Sequence, residues 1–362
     1  MKRTLLKGIA SYLVAATLLT GCGAANNGNE GKNGYEKLDT DLKVGMMTDA
    51  GTIDDRSFNQ YTWEAVSGVI SNSKYLKPAG QTDADYIESI GNLYDAGYKF
   101  IVAPGSRVER AIGVAQEKYP DAEFVILDGE PVDSEGNPCI ASNSTAIYFA
   151  EEEAGFIAAV AAAVEIKEGE FGFLGGMEIP PVQRFSYGFE QGVNYANENL
   201  GTNIVLKDEN IVYQGSFGDK AGGQQVAGSM YDKGVDVIFT AAGGTGIGAL
   251  NEAKSRAMNG ETDCFIIGVD VDQYQDGVYD AANNASVILT SAIKKITEAT
   301  ISVLKDKVNG QFPGGQILTF NVANDGVGIP ENNPNLGEEA TNAASEVTNK
   351  IKAGEITVAK EK

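Results

Sequence analysis

The stretch 48–59 concentrates side chains that could bind a small polar molecule. Its sequence, TDAGTIDDRSFN, holds three acids, an amide, hydroxyls and an aromatic ring, among them Asp49, Asp55 and Phe58. Carboxylates accept hydrogen bonds from hydroxyl and N–H groups, and a phenylalanine ring stacks on a flat heterocycle. A plainer interpretation is a helix start with Asp54 or Asp55 as N-cap, because acids are favoured at that position. The rest of the chain favours a binding loop.

The flanking residues predict where this loop sits. The apolar run 42–47 predicts a strand, and Phe58, Trp63, Val66 and Ile70 are spaced for one face of a helix. The stretch 48–59 would then join the carboxyl end of a strand to a helix. Ligands bind at such ends in open α/β sheets.

Apolar runs and helical patterns alternate from residue 42 onward, at intervals of about 25–35 residues. The runs are continuous and rich in Val, Ile and Phe, which is typical of parallel strands buried on both faces. This pattern predicts an α/β fold with two doubly wound parallel-sheet lobes. The predicted strands are 42–47, 100–103, 124–127, 171–174, 204–212, 235–240, 264–269 and 286–289, and the predicted helices are 59–72, 85–96, 106–118, 150–165, 182–199, 219–233, 246–259, 291–308 and 337–352.

The order of these elements predicts how the chain is divided. A body of roughly 320 residues suits two domains, and we expect crossover strands to join them near 139–143, 283–291 and 315–327. Lobe 1 would comprise 42–143 and 290–318, and lobe 2 would comprise 144–289 and 319–362. A cleft between the lobes would be built from the strand ends of both.

Polar and aromatic residues follow most of the predicted strands. Several carboxylates and one lysine suit a neutral ligand rich in hydroxyl groups, because each carboxylate can accept from two neighbouring hydroxyls. Aromatic rings would hold a planar group, so a sugar joined to a flat heterocycle meets both requirements, whereas this many acids would repel a phosphate. The second stacking ring could come from Phe185, Phe217 or Phe239. The predicted binding residues are Asp49, Asp55, Phe58, Asn59, Asp128, Phe185, Phe217, Gly244, Asp270 and Lys294.

The first residues resemble a bacterial lipoprotein signal. A basic start precedes the apolar run 9–19, and Leu19-Thr20-Gly21-Cys22 has the form of a lipobox. The resemblance implies that 1–21 is a signal peptide and that Cys22 is lipidated, which would anchor the protein on the outer face of the cell membrane. The Gly- and Asn-rich residues 22–41 would then form a flexible tether.

Composition excludes several classes of function. The net charge of −22 argues against nucleic acid as a partner. The chain contains no histidine, so a histidine base or a Ser-His-Asp triad is excluded, and Cys139 and Cys264 are not in a C-x-x-C motif. A disulfide between these two cysteines has no support in the sequence, and two inert thiols fit better. No metal or cofactor is expected.

The motifs together resemble the basic membrane protein (BMP) family of ABC-transporter lipoproteins. The motifs are the lipobox, TDAGTIDDRSFN (48–59), EAGFIAAVAA (153–162), 176–192 with its VQRF core, GSFGD (215–219), AAGGTG (241–246), IIGVDVDQ (266–273) and TSAIKK (290–295). The resemblance implies a type I periplasmic-binding-protein fold and a nucleoside-binding subunit of an ABC importer, with a permease as partner and purine nucleosides as the expected ligands.

The same resemblance implies roles for individual residues. Asp49 and Asp55 would bond the base, and Phe58 would stack on it. The ribose would be held by Asp128, Gly244, Asp270 and Lys294.

Two other functions compete with this interpretation. Gly244-Thr245-Gly246-Ile247-Gly248-Ala249 matches the G-x-G-x-x-A pattern of dinucleotide-binding sites, and Asp270 follows the next strand. A nicotinamide-dependent oxidoreductase is therefore one alternative, although no histidine accompanies the motif. The other alternative is a receptor of the same fold for a pentose or another sugar.

Overall fold

The apolar runs form most strands of two six-stranded sheets in the computed structural model, which describes residues 34–362, and two short strands, β10 and β11 below, pair separately. The strands are β1 (Lys43–Met47), β2 (Asn72–Leu76), β3 (Phe100–Pro104), β4 (Glu123–Leu127), β5 (Ser144–Phe149), β6 (Glu168–Gly175), β7 (Asn203–Tyr213), β8 (Val237–Ala241), β9 (Phe265–Asp270), β10 (Val278–Asp280), β11 (Ala285–Ser286), β12 (Ile288–Lys294), β13 (Ile317–Phe320) and β14 (Val327–Gly328). The helices are α1 (Phe58–Val69), α2 (Asp83–Asp95), α3 (Glu109–Lys118), α4 (Glu151–Ile166), α5 (Pro180–Asn199), α6 (Lys220–Asp232), α7 (Gly243–Met258), α8 (Ile296–Val308) and α9 (Glu338–Lys352).

The two sheets repeat one strand pattern. The sheet of lobe 1 has the order β13-β5-β4-β3-β1-β2, and that of lobe 2 has the order β14-β12-β9-β8-β6-β7. Neighbouring strands are parallel in both sheets, apart from the short antiparallel pair of β12 and β14. The predicted class of two doubly wound α/β lobes is therefore confirmed, and each strand of lobe 1 has a counterpart in lobe 2.

The chain crosses between the lobes at points that differ from the expected boundaries. β5 pairs in the sheet of lobe 1 and β12 in that of lobe 2, so the first two crossings fall near residues 150 and 295. The expected boundaries at 143/144 and 289/290 were too early, because each strand continues until its carboxyl end is paired. The third crossing follows β13, which stays paired in the sheet of lobe 1 up to Phe320. The expected end of this lobe 1 segment, residue 318, was therefore also too early.

The three crossings lie side by side. The amide of Ala150 donates to the carbonyl of Phe320 over 2.9 Å, and the amide of Lys295 donates to that of Gly326 over 3.0 Å. After crossing, α4 packs on α5 of lobe 2, and α8 packs on α1 of lobe 1. Each lobe is thus completed by a helix that follows a strand of the other.

Some local predictions were wrong for identifiable reasons. The predicted helix 59–72 ends at Val69, and the polar, partly exposed edge strand β2 follows it. The predicted helix 291–308 begins only at Ile296, because β12 continues to Lys294 alongside β9. Lys294 therefore stands at a strand end and not one turn into a helix.

Small residues on α4 and α5 allow the two helices to pack closely. A Cβ placed on Gly188 of α5 would lie 2.0 Å from the carbonyl oxygen of Glu152, so only glycine permits this approach. As a result the start of α4 is buried, including the side chain of Glu151.

The start of the described chain is packed rather than free. Tyr35 and Leu38 pack against the core, and the amide of Leu38 donates to the carbonyl of Val69 over 2.9 Å. This part of the expected tether is therefore docked on α1, because its apolar side chains find partners there. The predicted signal peptide 1–21, Cys22 and the rest of the tether lie outside the described residues.

Two further expectations concern cysteines and membranes. Cys139 and Cys264 carry free thiols, and Cys264 is buried. Among residues 34–362 no helix has the length and apolar character needed to cross a bilayer.

Candidate ligand-binding site

A cavity lies between the two lobes at the carboxyl ends of their strands. Apolar and acidic side chains share its wall. The lining residues are Asp49, Asp55, Ser57, Phe58, Asn59, Gly105, Ser106, Asp128, Ile179, Pro181, Val182, Phe185, Phe217, Ala241, Ala242, Gly243, Val269, Asp270 and Lys294.

Every predicted binding residue except Gly244 lines this cavity. The neighbouring Gly243 lines it instead, and a Cβ on Gly244 would lie 2.9 Å from the carbonyl oxygen of Phe217, outside the wall. Gly105 and Ser106 also line the cavity but were not among the predicted binding residues, although they directly follow β3. Both could have been found in the same way as the others, by taking the residues that follow each predicted strand.

Hydrogen bonds between its own side chains organise the first loop. Asn59 donates from Nδ2 to Asp49 Oδ1 and to Asp55 Oδ2, each over 3.0 Å. The amide of Gly51 also donates to Asp49 Oδ1, over 2.9 Å. The other oxygen of Asp49 lies beside Gly105, where a Cβ would approach it to 2.5 Å. Asp49 is therefore held through one oxygen while the other faces a second residue of the cavity wall.

Asp55 fits both interpretations of the loop 48–59, as a residue of the binding site and as an acid that bonds the start of a helix. It lines the cavity, yet its carboxylate accepts from the backbone amides of Ser57, Asn59 and Gln60 over 2.9–3.1 Å. These are unpaired amides at the start of α1, so Asp55 caps that helix with its carboxylate from two residues before the N-cap position, which Ser57 occupies. Burial raises the pKa of Asp55 to about 6 despite these bonds, and burial also raises the pKa of Asp49.

Aromatic rings approach the cavity from both lobes. Phe58 begins α1 of lobe 1, whereas Phe185 and Phe217 belong to lobe 2, and all three line the wall. Phe239 does not, since it is fully buried behind Phe185, with the two ring centroids 5.6 Å apart in an edge contact. Of the three candidates for a second stacking ring, Phe185 and Phe217 are therefore in position.

A buried ionic network closes the rear of the cavity. Lys294 donates from Nζ to Asp128 Oδ2 and, over 3.0 Å, to Glu151 Oε1. Glu151 in turn accepts from Arg184 Nε over 2.6 Å. Asp128 Oδ1 is buried and has no hydrogen-bond partner among the described residues, although a buried acceptor normally has one. It is available to a ligand.

The charges of this network shift the pKa values of its members. Burial lowers the pKa of Lys294, but the carboxylates of Asp128, Glu151 and Asp270 outweigh it and hold that pKa above the ordinary lysine value. Burial raises the pKa of Asp128 to about 7, with Lys294 opposing the rise and Glu151 adding to it. Burial likewise raises the pKa of Asp270. Lys294 therefore carries its charge at neutral pH, and Asp128 titrates near neutral pH.

Direct contacts between the lobes hold the cleft closed. Ser57 of lobe 1 donates from Oγ to Asp270 Oδ2 of lobe 2. Nearer the mouth, Arg56 Nη1 lies 2.7 Å from Asp276 Oδ1, and Gln273 donates to the carbonyl of Arg56 over 3.2 Å. The structure is thus the closed arrangement, in which both lobes contribute to one cavity.

Glycines within and beside the G-x-G-x-x-A pattern contribute to packing. A Cβ on Gly244 of the pattern would lie 2.9 Å from the carbonyl oxygen of Phe217, and one on Gly248, at a variable position of the pattern, would lie 1.9 Å from the carbonyl oxygen of Lys220 on α6. Close contact between α6 and α7 therefore requires glycine here, without any dinucleotide.

Comparison with known proteins assigns the chain. A family model described as "Bmp: ABC transporter substrate-binding protein PnrA-like" matches residues 42–362. The chain belongs to the Bmp family. The ABC transporter nucleoside-binding protein BmpA of Lactococcus lactis is 32% identical over 368 residues, which cover 99% of each chain. Basic membrane protein D of Borreliella burgdorferi is 32% identical over 316 residues, which cover 86% of this chain and 84% of that one.

The Bmp assignment confirms the resemblance found in the motifs. Members of this family are substrate-binding proteins of ABC transporters and not enzymes, so the oxidoreductase alternative is wrong. The G-x-G-x-x-A match was misleading, since the close contact of Gly244 is with the Phe217 carbonyl of the same lobe.

Solved structures confirm the fold expected for a Bmp protein. An ABC solute-binding protein from Aeropyrum pernix superposes with a TM-score of 0.74 at 23% identity, covering 87% of this chain and 92% of that one. One from Conexibacter woesei gives 0.63 at 18% identity, covering 88% and 99%. At these identities the likeness shows a shared type I periplasmic-binding-protein fold.

Proposed function

We propose that the protein captures nucleosides, purine nucleosides above all, in the cavity between its lobes. The observation that carries this proposal is the pairing of aromatic rings from both lobes with buried carboxylates in one closed cavity. A flat base and a hydroxyl-bearing sugar need these two kinds of group. The name of the Lactococcus lactis relative, a nucleoside-binding protein, supports the same ligand class.

The base would lie between the rings of Phe58 on one side and Phe185 or Phe217 on the other. Stacking on an aromatic ring contributes about 1–3 kcal/mol per base. Asp49 would accept a hydrogen bond from the base edge through Oδ2, since Oδ1 is already engaged with Gly51 and Asn59. Asp55 would act mainly through the loop, because its oxygens bond the start of α1.

The ribose would lie at the rear of the cavity. Asp128 offers its unpartnered Oδ1 to a ribose hydroxyl, and Asp270 approaches from the other lobe. Lys294 donates to Asp128, and its charge offsets the repulsion between the two carboxylates. A phosphate group would meet the charges of Asp49, Asp128 and Asp270 and be rejected.

Thermal-shift measurements on the purified full-length protein test this function. A ligand that binds only the folded state raises the unfolding free energy by about 2.7 kcal/mol at a hundredfold excess over Kd. Guanosine, adenosine or inosine should raise Tm, whereas their 5′-phosphates should not. A shift with arabinose or ribose alone would instead assign a pentose receptor, and no shift with any nucleoside would contradict the proposal.

We further propose that the protein works as a lipoprotein on the outer face of the cell membrane and delivers its ligand to an ABC permease. The lipobox ending at Cys22 supports the anchor, and closure around the ligand would create the form that the permease recognises. Cys22→Ser should abolish labelling by radioactive fatty acid and release the protein into the medium. Cys264→Ser is the matched control, and continued membrane attachment of the Cys22 variant would contradict the anchor.

A further inference from the structure

Glu151 is fully buried next to the cavity but does not line it. It is the first residue of α4, immediately after the first crossing between the lobes. Its two oxygens have different partners, because Oε1 accepts from Lys294 over 3.0 Å and Oε2 accepts from Arg184 over 2.6 Å. The two partners come from different directions, Lys294 from the second crossing and Arg184 from α5 of lobe 2.

Both partners lead directly into the cavity wall. Lys294 lines the cavity and also donates to Asp128. Arg184 precedes Phe185, whose ring lines the cavity, on the first turns of α5. A single carboxylate behind the wall therefore restrains a cation and an aromatic residue that face the ligand.

We propose that Glu151 is a positioning residue of the ligand site, which holds the Lys294 ammonium on the Oδ2 side of Asp128 and so leaves Asp128 Oδ1 free for the ligand. This inference rests on the proposed function. Lys294 donates to only one Asp128 oxygen here, and the second oxygen has no partner among the described residues. Without the charge of Glu151, the ammonium would turn to both oxygens of Asp128 and occupy the acceptor that a ribose hydroxyl needs.

The charged groups packed around Lys294 give this role a second signature. They are Asp128 after β4, Glu151 on α4, Arg184 on α5 and Asp270 on β9. Three carboxylates thus face two cations, and the charge of Glu151 raises the pKa of both Asp128 and Asp270. Removing that charge should move the titration of Asp128 to lower pH, which a purely structural contact would not do.

Glu151→Gln tests the proposal, because it keeps the shape of the side chain and removes its charge. At pH 8 we expect Kd for guanosine, adenosine or inosine to rise at least tenfold by calorimetry. Glu152→Gln is the matched control: Glu152 is equally buried on the same turn, and its ion-pair contact is with Lys360 at 3.8 Å. The control should bind within twofold of wild type.

Glu151→Asp covers the case in which the glutamine variant does not fold. It retains the charge but shortens the reach, so we expect a loss of affinity. Wild-type Kd in Glu151→Gln, or in Glu151→Asp if only that variant folds, would overturn the proposal.

A ligand-independent measurement separates this inference from the proposed function. Carboxyl ¹³C NMR of the ligand-free protein, with the Asp128 signal assigned by Asp128→Asn, should show Asp128 titrating at lower pH in Glu151→Gln. An unchanged titration would overturn the role of Glu151. Failure of the wild type to bind any nucleoside, with the titration shifted, would overturn the nucleoside proposal alone.

Discussion

Asp128 and Asp270 occupy equivalent positions in the two lobes. β4 and β9 are third in their respective sheets, and the two aspartates stand where these strands end. Both have left-handed backbones, with φ of 60° and 67°. Such a conformation costs a non-glycine residue about 1–3 kcal/mol, and residues held in it cluster at binding sites. The two lobes thus present one strained carboxylate each to the same cavity.

Asp270→Gly should separate binding from stability. Glycine adopts a positive φ without strain, and the change also removes a buried carboxylate, so we expect the ligand-free protein to be at least as stable, by about 0–1 kcal/mol. Nucleoside affinity should fall at least tenfold in calorimetry. Asp263→Gly is the control, because Asp263 is exposed and lies just before β9. This variant should bind normally. Undiminished affinity in the Asp270 variant would remove that residue from the site.

Phe58→Ala should weaken nucleoside binding at least tenfold, because it removes one stacking surface worth about 1–3 kcal/mol. Ribose affinity, if measurable, should change much less. Tyr75→Ala is the control, since Tyr75 is an exposed aromatic residue outside the cavity whose ring contacts Trp63. Fluorescence or calorimetric titration would measure both, and equal loss for ribose and nucleoside would argue against stacking by Phe58.

Arg56→Ala should weaken binding by about two- to fivefold without changing the order of ligand preference. The Arg56–Asp276 pair spans the lobes at the cleft mouth, but half of the Arg56 side chain is exposed, so its contribution is small. Lys99→Ala is a matched control, because Lys99 is as exposed as Arg56 and its pair with Asp121 lies within lobe 1. The effect of Arg56 should also shrink in high salt. A change in ligand preference would show that Arg56 contacts the ligand itself.

Lowering the pH from 8 to 5 should have opposite effects on stability and on binding. Burial raises the pKa of Asp49, Asp55, Asp128 and Asp270 above their ordinary value, so the folded state binds more protons than the unfolded state in this range. The contribution of these groups to stability therefore increases as the pH falls toward 5. Affinity should decrease over the same range, because protonated acids are poorer acceptors for ligand donors.

Thermal unfolding and calorimetry across pH 5–8 measure both trends. Asp128→Asn and Asp55→Asn should each flatten the pH dependence of Tm, since they remove one of the titrating groups. An affinity that does not depend on pH would contradict the assignment of ionised carboxylates as ligand acceptors.

Much of the site was predictable because parallel strands end at one edge. Asp49, Phe58 and Asp270 were found by reading which residues follow apolar runs, and all of them line the cavity. The exception is Gly244, which was carried over from the resemblance of the AAGGTG motif, whereas its neighbour Gly243 lines the cavity.

Contacts between distant residues were beyond any local pattern. The pair of Lys294 and Glu151 joins residues 143 positions apart, and the pair of Lys294 and Asp128 joins residues 166 apart. Spacing in a sequence encodes which face of a helix or strand a side chain occupies, but not which distant side chain it meets. Glu151 lies in the predicted helix 150–165 without any feature that singles it out, and only packing shows that it is fully buried.

The sequence by itself determined the alternation of strands and helices, the edge at which the ligand site lies and the family to which the chain belongs. These follow from hydrophobic periodicity and from motifs, which are local properties of the chain. Only the tertiary structure decided where the chain crosses between lobes, that Asp55 caps α1 while Asp49 keeps an oxygen for the cavity, and that Glu151 stands behind Lys294. Strand pairing and burial set these outcomes, and both depend on residues far apart in sequence.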